Sequence, residues 1–368
     1  MTPKHYMFQY IRDIPDVLQR TLVENDQKVK EISSRMRSEH TEKLIIIGLG
    51  SSYTAGVMTL PLLYTIPEIK CFVLPSTELL LNLGELADKK SLVLAVSRSG
   101  ERGWVVDALK QSMEKGAYGV AITSTLDNLL AQHAQLTLVT GEGPEITFTK
   151  TKSVVCCTGL LMYIALELAT VYGKETRPQR EILLAIPAKL HTLVEKVEPQ
   201  VASLFPALLD RELVMIGGSG SNNGVALESA LILQEAADVP ATGMDSGNLL
   251  HGPWGSDVYK WLNILLVSRR DLALSTKSLE LAGNLGWKRL CIVEPNIDLA
   301  SKSEYQVTLP YEVDPLFSGL SYLIPMQFLT YYWCLAKGLN PDAPPGMKYM
   351  LDAMLPEGRQ EPEFRSTR

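Results

Sequence analysis

The stretch KLIIIGLGSSYTAG (43–56) joins a run of β-branched residues to a glycine-rich turn and the small-residue start of a helix. An unbroken apolar run of this length reads as a strand buried on both faces, which is the habit of parallel sheets covered by helices. The same grammar returns in RELVMIGGSGSNNGVALES (211–229), where Leu213 to Gly217 parallels Leu44 to Gly48. Two copies of one strand–turn–helix unit, set so far apart, predict an internally duplicated chain.

Each copy continues in the same style. CFVLPS (71–76), SLVLAVSRSG (91–100), YGVAITS (118–124) and LTLVTG (136–141) follow the first. VPATGM (239–244), LNILLVS (262–268), RLCIVEP (289–295) and YQVTLP (305–310) follow the second. Strands alternating with helical segments predict an α/β chain of two tandem, doubly wound, flavodoxin-like domains, parallel sheets flanked by helices. The expected divisions are a helical segment over 1–43, a first domain over 44–175 and a linker and helix over 176–212. A second domain over 213–340 and a tail over 341–368 complete the chain, with the polar stretch YGKETRPQRE (172–181) as linker. In such sheets ligands bind beyond the carboxyl ends of the strands.

Bulk properties agree. A chain of 368 residues exceeds what one hydrophobic core usually serves. Net charge is −6 with no long basic run, which speaks against a general nucleic-acid surface. The five cysteines form no CxxC pair, and three lie in apolar runs, as small core residues in a reducing compartment do. The start, MTPKHYMFQYIRDIPD (1–16), has no apolar signal region, so a cytoplasmic location is expected. SVVCCTGLLMYIALELATVY (153–172) nearly has the length of a membrane span. Its Glu167 and its place in the alternating pattern predict a buried helix and no membrane partner.

Two strand-end turns of the first copy are rich in serine. GLGSSYT places Ser51 and Ser52 at a helix start, and AVSRSGERG places Ser97 and Ser99 at another, with Arg98 and Arg102 beside them. Helix starts offer free N–H groups and partial positive charge, and hydroxyls add donors, so the pair suits a phosphate. Capping alone is the plainer role for one such turn. The tyrosine in GLGSSYTAG departs from the dinucleotide fingerprint, and no nucleotide cofactor, metal or other cofactor is expected.

In the second copy, GVALESALILQEAADVP (224–240) sets Glu228 and Glu235 two turns apart on one helical face, among mostly apolar neighbours. A carboxylate buried in such a helix is paired, protonated or functional, whereas a surface glutamate is the common alternative. His251 follows in GNLLHGPWG (247–255). Partial burial raises a glutamate toward neutrality and histidine ordinarily titrates there, which suits proton transfer beside a carbonyl.

From RDIPDVLQRTL (12–22) to the tail, the chain resembles tandem sugar isomerase (SIS) domain proteins. The likeness is to the fructosamine-6-phosphate deglycases and to the isomerase half of glucosamine-6-phosphate synthase. GxGSS with SxSG, and E(x6)E(x15)HGP, carry the likeness. The resemblance implies that Ser52, Ser97 and Ser99 hold a sugar phosphate, to which the helix start adds Ser51, with Arg102 where the synthase has a phosphate-touching threonine. It implies that Glu235 moves protons between C1 and C2 and that His251 assists ring opening, with Glu228 beside them. In the family that histidine comes from the neighbouring subunit, which implies a homodimer with shared sites, or a higher oligomer. GPEITFTKTKS (143–153) matches the family's TEI…STK segment, so Thr151 and Lys152 line the sugar unless Lys152 is a solvent-facing helix start. Lys348, in NPDAPPGMKYM (340–350), lies near the family's C-terminal lysine, and Arg98, Lys150 and Trp104 are candidates for reading the rest of the substrate.

Departures decide among relatives. Ile232 stands where the synthase helix has a lysine, while Asn248 and Leu250 replace the charges of GELKHGP. Residue 2 is Thr, and a glutamine-hydrolysing domain is not expected ahead of the isomerase-like region. The expected partner is therefore a 6-phosphorylated sugar or amino sugar. The expected reaction is deglycation of a fructosamine 6-phosphate to glucose 6-phosphate and an amine. A ketose–aldose or amino-sugar phosphate isomerase or deaminase is the second expectation, and a phosphosugar-sensing protein without turnover is the third.

Overall fold

Ile45, Ile46 and Ile47 form the middle of β1 (Lys43–Gly48), and all three are buried because helices cover both faces of the strand. The computed structural model describes residues 5–101, 103–252, 254 and 260–344. β1 pairs in parallel with β2 (Lys70–Pro75) and β3 (Ser91–Val96), Ile46 lying opposite Val73 on one side and Leu94 on the other. β4 (Tyr118–Thr123) and β5 (Leu136–Val139) complete a parallel sheet in the order β2-β1-β3-β4-β5. α2 (Ser51–Leu63), α3 (Ser76–Leu81), α4 (Gly103–Glu114) and α5 (Leu129–His133) lie between its strands in sequence.

The chain divides into two compact units, each holding one sheet. The unit of the first sheet comprises Asp13–Ile146 and Lys152–Pro187. Within it, residues 13–38 of the helix α1 (Tyr6–Ser38) serve the sheet edge: Asn25 donates to the Val139 carbonyl and Lys28 to that of Thr137, both at 2.8 Å. α6 (Lys152–Val171) is the apolar stretch noted in the sequence. Its length and composition would suit a membrane span, yet nearly all of it is buried. Glu167 is tolerated there because Arg180 Nη1 sits 2.6 Å from its Oε1. Burial still raises the Glu167 pKa, with Arg180 pulling the other way.

The second unit contains the first residues through Arg12, Thr147–Thr151 and Ala188–Pro344. Its strands are β6 (Leu213–Gly218), β7 (Ala241–Asp245), β8 (Trp261–Val267), β9 (Lys288–Val293) and β10 (Tyr305–Thr308), ordered β7-β6-β8-β9-β10. With α8 (Ser221–Ala237), α9 (Ser246–His251), α10 (Leu272–Asn284) and α11 (Ser318–Ala336), it repeats the plan of the first unit. The repetition extends to backbone detail. Gly50 has φ 54° and ψ −131°, and Gly220 has φ 61° and ψ −127°, each just before its helix. Two parallel five-stranded sheets of flavodoxin-like order, flanked by helices, are thus as the sequence predicts.

Of the stretch expected as linker, residues 172–176 are non-helical and residues 177–181 already belong to α7 (Arg177–Leu204). Leu183, Ile186, Leu190, Leu193, Val194 and Val197 recur at helical spacing along it and are buried. All five cysteines are free and buried, and burial pushes the thiols of Cys71, Cys291 and Cys334 up to about 12. At neutral pH these three are packing residues and not nucleophiles.

Candidate active site

The two serine turns follow β1 and β3, which are hydrogen-bonded neighbours with Ile47 opposite Ala95. In a sheet of this order the strand sequence reverses between those two strands, and the crevice there is the usual ligand position. The structure therefore brings Ser51 and Ser52 to the same end of the sheet as Ser97 and Ser99.

The second turn is held from below. The Arg98 carbonyl accepts hydrogen bonds from Ser124 N (3.0 Å), Ser124 Oγ (2.7 Å) and Thr123 Oγ1 (3.0 Å), and Ser97 N donates to the Ile122 carbonyl. Gly100 has φ +67°, and a Cβ there would lie 2.0 Å from Asn128 Oδ1, so only glycine fits. Asn128 is itself fixed, accepting from Ala131 N at 2.9 Å and donating to Thr123 Oγ1 at 3.1 Å and to the Thr125 carbonyl at 2.7 Å. Ser97 Oγ accepts from Gly100 N and Ser99 Oγ from Glu101 N, both at long range (3.3 and 3.4 Å). Ser51, Ser52 and Ser99 are half-buried, and Ser97 is more deeply set.

The side chain of Arg98 is buried, not presented at the surface. It lies in the field of Glu142, a carboxyl that only 2% of its surface exposes and whose pKa burial pushes up to about 7. Glu145 is also fully buried, and its Oε1 accepts from Lys152 N at 2.9 Å, starting α6. Lys152 is buried as well, so its reading as a solvent-facing helix start fails: the apolar helix it begins is the core of its unit. Thr151 is buried, and its carbonyl accepts from Gln327 at 3.0 Å. Lys150 Nζ donates to the Thr147 carbonyl at 2.6 Å, whereas Trp104 is half exposed. Arg102 and Lys348 lie outside the described residues.

In the second unit, α8 packs against β7 and α11. Glu228 is wholly buried on it, while Glu235, two turns further, is only partly so. β7 approaches α8 so closely that a Cβ on Gly243 would lie 2.0 Å from the Ala226 carbonyl oxygen. β7 then leads into α9, whose start is capped by Asp245 Oδ1, accepting from Gly247 N (2.8 Å) and Asn248 N (3.3 Å). His251 is the last residue of α9 and is exposed. The pair of carboxylates and the histidine thus ride on elements adjoining one strand, β7.

Sequence reasoning missed two groups. Glu142 sits in a polar TGEGPE run that reads as a solvated loop, and nothing local announces its burial. Trp254, Trp261 and Trp287 stack on one another, although they are dispersed along the chain. Among the described residues no group of three His, Cys, Asp or Glu side chains is placed to hold a metal ion.

The family model for the SIS domain matches residues 38–170, which include both serine turns. A glutamine–fructose-6-phosphate aminotransferase (isomerizing) of Thermococcus kodakarensis is 27% identical over 345 residues, covering 92% of this chain and 56% of the relative. The chain thus spans about half the length of the curated relatives it matches. The C-terminal domain of glucosamine-fructose-6-phosphate aminotransferase from Francisella tularensis shares the fold, with a TM-score of 0.81 at 22% identity over 93% of this chain and 99% of that one. A tagatose-6-phosphate ketose/aldose isomerase of Escherichia coli does so with a TM-score of 0.76 at 18% identity, covering 92% of this chain and 96% of that one.

Proposed function

We propose, from the SIS-domain match over residues 38–170 and the similarity to glutamine–fructose-6-phosphate aminotransferases, that the chain shifts a proton between C1 and C2 of a 6-phosphorylated ketosamine. The observation that carries this reading is α8. It holds one glutamate in full burial and a second at partial exposure two turns on, with a histidine following one strand later. A partly buried carboxylate is suited to take a proton from carbon.

Ser51, Ser52, Ser97 and Ser99, with the backbone N–H groups of their turns, hold the phosphate. His251 assists ring opening. Glu235 removes a C1 proton, and the electron pair moves onto the C2 carbonyl oxygen, which takes a proton from water to give an enaminol. Return of the Glu235 proton to C2, with the amine N–H proton passing to water, gives an aldose imine, and water adds at C1 to release the amine and glucose 6-phosphate. Glu228 lies two turns before Glu235 on α8 as a wholly buried carboxyl. Ile232 is wholly buried where the synthase helix carries a lysine, and Asn248 and Leu250 remove two charges near His251. These changes favour a ketosamine that brings its own amine over amination by glutamine.

The test is incubation of the purified chain with fructosamine 6-phosphates and, in parallel, with fructose 6-phosphate. Stoichiometric hexose 6-phosphate and free amine from the first support the reading. Interconversion of hexose phosphates with no amine released replaces it by an isomerase. Thermal stabilisation by either compound without turnover replaces it by a sensor.

A further inference from the structure

His251 ends a helix of only six residues, too short to hold its own shape in water. Its start is fixed by the Asp245 cap and by Leu249, which is fully buried against the glycine at 217, where a Cβ would approach Leu249 Cδ2 to 2.7 Å. Its end has no comparable support inside the helix. Gly252 follows at once, and its N–H returns to the Leu249 carbonyl at a long 3.3 Å.

Three residues after the histidine, Trp254 turns back into the unit, its N–H donating to the Gly252 carbonyl at 2.8 Å. Its ring stacks on Trp287, centroids 4.9 Å apart and planes 24° apart. Trp287 is nearly fully buried and also stacks against Trp261, at 4.5 Å and 8°. Trp261 opens β8 and Trp287 follows the Gly286 turn before β9, so both belong to the rigid sheet end. Stacked aromatic rings add specific geometry to the burial they provide.

We propose that Trp254 is a positioning residue for His251: its ring, clamped on the Trp287–Trp261 stack, fixes the end of α9 and hence the direction of the imidazole. This inference rests on the role of His251 proposed above. General acid–base chemistry depends on placement, and a shift on the order of 1 Å costs up to ~100-fold in rate.

The experiment compares the full chain with Trp254→Ala and Trp254→Phe. The readouts are near-ultraviolet circular dichroism, amide exchange of residues 246–252, and steady-state kinetics on a fructosamine 6-phosphate. Trp254→Ala is expected to weaken the stacked-indole signal and speed exchange at the end of α9. It should also lower kcat by about 10- to 100-fold with KM within about threefold, because the serine turns are untouched. Trp254→Phe keeps a ring on Trp287 and should restore kcat to within about threefold of the parent. Unchanged exchange, or a fall in kcat that phenylalanine does not rescue, overturns the proposal. If the parent chain turns over no phosphosugar, the functional reading fails by itself, and the exchange and dichroism comparison still decides whether Trp254 anchors this helix end.

Discussion

Two turns occupy the same place in the two halves of the molecule and are built differently. After β3 comes Ser97-Arg98-Ser99-Gly100, and after β8 comes Ser268-Arg269-Arg270-Asp271. In the second, Asp271 Oδ1 accepts from both Ser268 N and Ser268 Oγ at 2.8 Å, and Ser219, from the neighbouring turn, also hydrogen-bonds to it. A carboxylate of the chain therefore sits among the turn donors that an anion would use. Two of its neighbours also bond within the unit: Ser221 Oγ accepts from Gly319 N at 3.1 Å, and Asn222 Nδ2 donates to the Leu266 carbonyl at 3.3 Å. In the first half Gly100, at positive φ, holds the sequence position that Asp271 holds in the second, and Ser51, Ser52 and Ser99 are only half-buried. The two units share one plan, and in the second a carboxylate of the chain occupies turn donors that in the first are left to half-buried serines.

This contrast predicts different consequences for substitutions in the two halves. The largest concerns chemistry, assigned here to the second half. Glu235→Gln should lower kcat by between about 100- and 10,000-fold in the amine-release assay while phosphosugar binding persists. Retention of full rate would remove Glu235 from the mechanism and leave the second half without a catalytic carboxylate at that position.

The next concerns the buried carboxyls near the turns, Glu142 in the first half and Asp271 in the second, both raised by burial. A raised carboxyl binds its proton more tightly in the folded state than in the unfolded one. Its contribution to stability is thus complete below the unfolded pKa and is lost as pH rises through the folded one. For Glu142 the window runs from the ordinary 4.5 to about 7. Denaturation measured across that window should show up to roughly 3 kcal/mol of loss that Glu142→Gln abolishes. Asp271→Asn should flatten a window that opens lower, at the ordinary aspartate value of 3.8. An unchanged pH profile in Glu142→Gln would show that this carboxyl is not the titrating group.

The smallest expected effect sharpens the turn comparison itself. Ser97→Ala should raise KM about tenfold with little change in kcat, as loss of a hydrogen bond to a charged ligand does. Ser268→Ala, which removes a bond to Asp271, should instead cost about 1 kcal/mol of stability and leave KM alone. Equal KM effects from both would mean that the two turns are not functionally distinct.

Legibility differed by kind of feature. The runs LIII (44–47) and LVMI (213–216) read correctly as buried parallel strands because burial on both faces leaves no alternation to find. Glu228 and Glu235 were legible as a pair because helical period is a local property. The inward turn of Arg98 and the burial of Lys152 were not, since long basic side chains usually reach solvent. What reverses that habit is Glu142 beside Arg98 and the apolar core around α6, and neither is written near those positions in a form that period or composition detects.

The sequence by itself determined the α/β alternation, the duplication, the two serine turns and the glutamate pair, because each rests on periodicity or on residues adjacent in the chain. Only the tertiary structure decided which polar groups are consumed internally. Asp271 satisfying its own turn, Arg98 buried near Glu142, and the stack of Trp254, Trp287 and Trp261 all depend on exclusion of water by distant segments. Burial sets the energy of a charge or a ring, and burial is a property of the folded chain.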